Sequence, residues 1–235
     1  MPKVIFRYDF EKDAWAWAAF AKRKSKIYGL KNRLDFIPPE LLKKIRGKNK
    51  KSAEKLVYDY LVNNSKKKIR KIVIEKEKDV LRDIWRELEN KFFKRLEKIT
   101  QKPIFASNFR CYFTTGFMCP YDEKENWFMV SMWHSIPADI TTICHETLHL
   151  QFLYYYREYC QKFLSEKEIQ DLKEALTFLL NTDFNDLILS YDMGYSAHKK
   201  LRIKLEKIWK EEKDFGNFLD KAIQIVKNKW DFSKK

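Results

Sequence analysis

Residues 140–156 read ITTICHETLHLQFLYYY, and the fold and the chemistry both hang on this stretch. It contains no Gly or Pro and is long enough for a helix. It is apolar nearly all round, which predicts a buried helix. Pro137 and Asp139, just upstream, suit a helix start. Within it, His145, Glu146 and His149 form the pattern H-E-x-x-H. Residues four apart lie one above the other on a helix face, so both imidazoles point at one place. Zn²⁺ accepts such nitrogens at about 2.0–2.1 Å. Glu146 falls roughly 100° further round the helix, beside an ion but not on it, where it can take a proton from a metal-activated water. The chain has four histidines, so this motif holds half of them. The competing reading is a chance motif with two hydrogen-bonded core histidines.

The chain of 235 residues is long enough for one large domain, and 45% hydrophobic content supports a core. No apolar run approaches the roughly 20 residues of a membrane span, and the first residues show no signal-peptide pattern. A cytoplasmic location is therefore expected, with no membrane partner. Cys111, Cys119, Cys144 and Cys160 form no C-x-x-C pair, which argues against a zinc ribbon and for free thiols in a reducing compartment. The formal net charge of +15 comes mainly from Lys. Weak nucleic-acid contact through the amino-terminal Lys-rich helices is the partner this charge allows. Specific phosphate and base contacts favour Arg, so a solvated basic surface is the plainer expectation.

Working outward, residues 11–28 read as a helix with Trp15, Trp17 and Phe20 on one face, stopped at Gly29. Pro39 opens a short helix to Gly47, and Ser52 caps another to about Val62. Apolar residues then recur at three- and four-residue steps from Lys66 to Thr100. After Pro103 the character changes. Ile104–Ala106 reads as a short strand, Arg110–Met118 as a longer one, and Trp127–Met132 as a returning strand. Ser165 and Glu168 form a capping box opening a helix to about Leu180. Helices resume near residues 196–210 and 216–230. The chain divides into a basic helical region, 1–65, and an α+β domain, 66–235.

A catalytic zinc site needs a third protein ligand. Phe152 and Tyr155 stand where metzincins place Gly and His, which excludes that class. Glu174, beside an apolar run, is the best later carboxylate, with Asp171 and Glu168 as spares. A surface carboxylate paired with Lys173 is the rival reading of Glu174. At this point the chain resembles the gluzincin branch of zincin metallopeptidases, which carry H-E-x-x-H on one helix and a Glu on a following one. The resemblance covers about residues 70–200. It implies a zincin-like core: a small mixed or antiparallel sheet, an edge strand that binds extended peptide, and Zn²⁺ on His145, His149 and Glu174. Thermolysin-like members carry an Asp four residues after the ligand Glu. Phe178 stands there in this chain, so another group must orient the ligating histidine.

Residues 191–198, YDMGYSAH, gather two Tyr, an Asp and the fourth His around a Gly. From this segment Asp192 can hold an imidazole, and Tyr195 or His198 can reach a developing oxyanion. His134, beside Trp133, reads as structural. The expected activity is zinc-dependent peptide-bond hydrolysis with Glu146 as base. The alternative is a basic nucleic-acid-binding or scaffold protein with a structural or vestigial zinc site.

Overall fold

A computed structural model describes residues 2–22 and 37–228. The expected helix end at 23–28, the Gly29 stop and the end of the last helix lie outside them. The element order is β1 (Lys3–Tyr8), α1 (Phe10–Lys22), α2 (Pro39–Arg46), α3 (Lys50–Asn63), α4 (Lys67–Thr100), β2 (Asn108–Thr114), β3 (Tyr121–Asp122) and β4 (Trp127–Ser131). Then come α5 (Ile136–Gln161), α6 (Glu166–Leu176), α7 (Phe178–Asp183), α8 (Lys199–Glu211) and α9 (Phe215–Lys227). The protein is α+β, mostly helical, with one small mixed sheet of four strands. Among the described residues no helix is long and apolar enough to cross a membrane.

The chain forms two compact units: residues 1–3, 86–108 and 140–235 in the first, and 4–85 and 109–139 in the second. The boundary expected after residue 65 falls inside the second unit, between α3 and α4.

In the second unit α1, α2 and α3 bury Trp17, Ile45, Val57 and Leu61 in one cluster. Asn49 caps α3 by accepting from the Ser52 backbone, so the cap lies three residues ahead of its expected place. The sheet order is β1-β2-β4-β3. β2 and β4 are parallel, with Cys111 opposite Phe128 and Phe113 opposite Val130. This corrects the expected returning strand. The connection is long enough for a parallel crossover, and its short β3 turns back to pair antiparallel with β4, Tyr121 opposite Phe128.

In the first unit, residues 104–106 are not a strand. The Ile104 amide donates to the Glu97 carboxylate at 3.0 Å and the Phe105 amide to Gln151 Oε1 at 3.3 Å. Side chains take the donors that a ladder would have used. α5 runs 26 residues and begins at Ile136, with Asp139 in its first turn. The capping box of Ser165 and Glu168 opens α6 as expected. The expected helix to Leu180 is broken at Thr177, whose side chain is drawn into the site below. Phe152, Phe178, Phe184 and Phe218 fill the core of this unit.

Candidate metal centre

The site lies wholly in the first unit and rests on three segments. α5 supplies His145, Glu146 and His149. α6 supplies Glu174. The loop after α7 supplies Asp192. On α5 the two imidazoles stand with ring centroids 4.1 Å apart. Glu174 Oε2 lies 3.5 Å from His145 Nε2 and 3.7 Å from His149 Nε2. Among the described residues these three side chains are the one group able to place ligating atoms within 4.8 Å of one another.

The group fits zinc. Tetrahedral bonds of about 2.0–2.1 Å require ligating atoms about 3.3–3.4 Å apart. Both separations, 3.5 and 3.7 Å, are within a few tenths of that. The donor set of two imidazoles and a carboxylate is that of a catalytic zinc site. Glu174 Oε2 is buried and accepts no hydrogen bond, which is costly unless something takes its lone pairs.

The spare carboxylates are engaged elsewhere. Asp171 Oδ1 lies 2.9 Å from His198 Nε2. Glu168 accepts from the Ser165 amide at 2.7 Å as part of the capping box. Glu174 does pair with Lys173, its Oε1 3.0 Å from Nζ, but the pair is not on the surface: Lys173 is 2% exposed.

His145 is held from behind. Its Nδ1 lies 2.6 Å from Asp192 Oδ2. An ionised carboxylate only accepts, so Nδ1 carries a proton and Nε2 is the nitrogen left to face a metal, which must displace any proton there to bind. Asp192 is thus the group that orients His145. Asp192 is itself fixed on every side. Arg202 Nη1 and Thr177 Oγ1 both stand 2.9 Å from Oδ1. Asn181 clamps its backbone, accepting from the amide and donating to the carbonyl, both at 2.9 Å. Arg202 also donates to that carbonyl and to Thr177 Oγ1. Thr141 Oγ1 donates to the Ser190 carbonyl at 2.7 Å.

Gly194 has φ +58°, and a Cβ there would stand 2.7 Å from Arg202 Nη1. Only Gly meets both conditions. Around these inward residues Leu189, Tyr191, Met193 and Tyr195 point into solvent.

The electrostatics follow from burial and these partners. Burial pushes the Glu146 carboxyl up to about 7, against the pull of His145 and Lys173. Burial also lowers His149, helped by the Lys173 charge, so its ring is neutral and able to ligate. Burial opposes a charged His145, but the Asp192 hydrogen bond and charge lift it to about 10. Burial would raise Glu174, yet His149, His145 and Lys173 hold it well below the usual carboxylate range. Glu146 Oε2 lies 3.4 Å from His149 Nδ1 and makes no hydrogen bond.

The proposed oxyanion residues stand differently. Tyr195 is 41% exposed. His198 is buried against Asp171, with the Tyr195 ring 5.9 Å away. His134 lies in the second unit, its Nδ1 3.3 Å from Asp139 Oδ1. All four cysteines are free, and none joins the ligating group.

Sequence reasoning missed Arg202 and Thr177. Arg202 sits in a basic helix where nothing but its fork geometry separates it from the neighbouring lysines. Lys173 was visible only as a surface partner. The chain matches no family model, no curated protein and no solved structure.

Proposed function

We propose that this protein is a zinc-dependent metallopeptidase with a zincin-like core. One observation carries the reading: His145 Nε2, His149 Nε2 and Glu174 Oε2 converge, with a hydrogen-bond-free oxygen on Glu174 and the buried Glu146 carboxyl alongside. His145, His149 and Glu174 would hold the ion. Bound there, Zn²⁺ supplies the Lewis acidity that makes water a nucleophile near neutral pH. Four free thiols suit a reducing compartment such as the cytoplasm.

The chain's own groups have these roles. Asp192, braced by Arg202, Thr177 and Asn181, fixes the tautomer and direction of His145. Glu146 takes the proton from the attacking water at its carboxylate and delivers it to the leaving amine. Its burial keeps the carboxyl close to the balance between its two protonation states at neutral pH. The Tyr195 hydroxyl, on the exposed side of its loop, donates to the oxyanion of the tetrahedral intermediate. His198, tied to Asp171, backs the Tyr195 ring.

Glu146→Gln tests the reading. Gln has nearly the same shape but cannot accept the proton, and a general base contributes about 10²–10⁴-fold. Turnover of a mixed peptide library should fall by that order, while zinc content stays at the wild-type level. Cleavage at the wild-type rate by Glu146→Gln would remove Glu146 from the mechanism. Zinc-loaded wild type that cleaves nothing in the library would count against a peptidase.

A further inference from the structure

We infer that Lys173 is a positioning residue that holds Glu174 as a one-oxygen metal ligand and so keeps a coordination position open; this rests on the zinc reading above. Lys is among the side chains least often fully buried, and then almost always paired. Here it is 2% exposed, with Nζ 3.0 Å from Glu174 Oε1. The two oxygens of Glu174 are therefore divided. Oε1 faces the ammonium, and Oε2 faces the imidazoles at 3.5 and 3.7 Å.

The division has a chemical consequence. A carboxylate can offer a zinc ion one oxygen or both. With two imidazole nitrogens, both oxygens would supply four protein donor atoms, and a water could then join only as a fifth donor. A catalytic site keeps three protein ligands and one open position. With Oε1 occupied by Lys173, Glu174 is restricted to one.

The placement of the charge agrees. A buried cation beside a dication is repelled strongly in an interior of low dielectric. A site shaped for tight metal retention alone gains nothing from an ammonium here. A site that must leave room for water gains the open position. Lys173 directly precedes Glu174 on α6, so the restraint is built into the same helical turn as the ligand.

The test is cobalt substitution, because the visible bands of Co²⁺ weaken as coordination number rises. Wild type and Lys173→Met are titrated with Co²⁺ and their absorption compared. Lys173→Met should bind the ion with weaker bands, as Glu174 swings its second oxygen onto the metal. The wild-type spectrum in Lys173→Met would overturn the inference. Wild type that takes up no cobalt or zinc would sink the zinc reading and this inference with it. Should Lys173→Met fail to fold, a crystal structure of zinc-loaded wild type decides. Glu174 Oε2 should stand about 2.0–2.2 Å from the ion, a carboxylate–zinc distance, with Oε1 still on Lys173 Nζ. Both oxygens on the metal, with Lys173 turned away, would overturn the inference.

Discussion

Two buried carboxylates, one in each unit, show opposite ways of living without water. Asp13 on α1 is fully buried. Its Oδ1 accepts from Thr114 Oγ1 at 2.7 Å and the Thr115 amide at 2.9 Å. Its Oδ2 accepts from Thr115 Oγ1 at 2.8 Å and Tyr8 at 3.1 Å. All of its acceptor capacity goes to the protein itself. Glu174 on α6 gives one oxygen to Lys173 and keeps the other free of hydrogen bonds before two imidazoles. Burial pushes Asp13 above the usual carboxylate range in spite of its four donors. It works the same way on Glu174, but the surrounding positive charge holds that group below the range. The lesson is that burial alone does not mark a ligand. A tie between elements uses every lone pair within the protein, whereas a ligand keeps one pointed at something else.

The sharpest break of that contrast is to neutralise each carboxylate in turn. Glu174→Gln should weaken zinc binding by more than about 100-fold, the upper end of what losing an outer partner costs. Asp13→Asn should leave zinc affinity unchanged and destabilise the fold by about 1–3 kcal/mol, because an amide matches only part of that donor set. Isothermal titration with zinc and thermal melts of both variants read the two effects. Zinc loss in Asp13→Asn, or none in Glu174→Gln, would erase the distinction.

Next in size is the group behind the ligand. Asp192→Asn keeps the shape but loses the charge that Arg202 and His145 share. Zinc affinity should drop by about 10–100-fold, as for other outer partners of ligating histidines. An affinity equal to wild type would mean that Asp192, like Asp13, is only a tie.

The smallest effect concerns Glu77 and Asp139, a pair of acids in the second unit. Burial, then the Asp139 charge, pushes Glu77 up to about 7. Burial also raises Asp139, which His134 pulls back. A raised acid binds its proton more tightly when folded, so its contribution is full below the unfolded value, about 4.3, and is lost as pH climbs towards 7. Glu77→Gln carries no such loss. Its melting temperature should exceed that of wild type above pH 7, and the gap should close below about pH 5. A gap that ignores pH would show that Glu77 titrates like a solvated acid.

How far these features could be read in the sequence depended on how local their causes are. The His145 and His149 pairing follows from helical period alone. Asp192 stood out because a Gly turn gathered it with two Tyr and a His. Strand direction was not legible. Alternation along 110–118 and 127–132 predicts strands, but parallel pairing of β2 with β4 depends on how the intervening chain turns through β3. The break at Thr177 was invisible for a similar reason. Its neighbours favour helix, and the pull comes from Asp192 and Arg202, fifteen and twenty-five residues away. Lys173 looked like a solvated partner because its burial depends on tertiary packing around α6.

On the proposed reading, three side chains brought together by α5 and α6 hold one catalytic zinc ion. Metal analysis of wild type purified without added metal, followed by zinc titration of the chelator-stripped protein, tests it most directly. Wild type should carry about one zinc per chain, as a single three-ligand site requires. Protein that arrives metal-free and takes up no zinc on titration would contradict it.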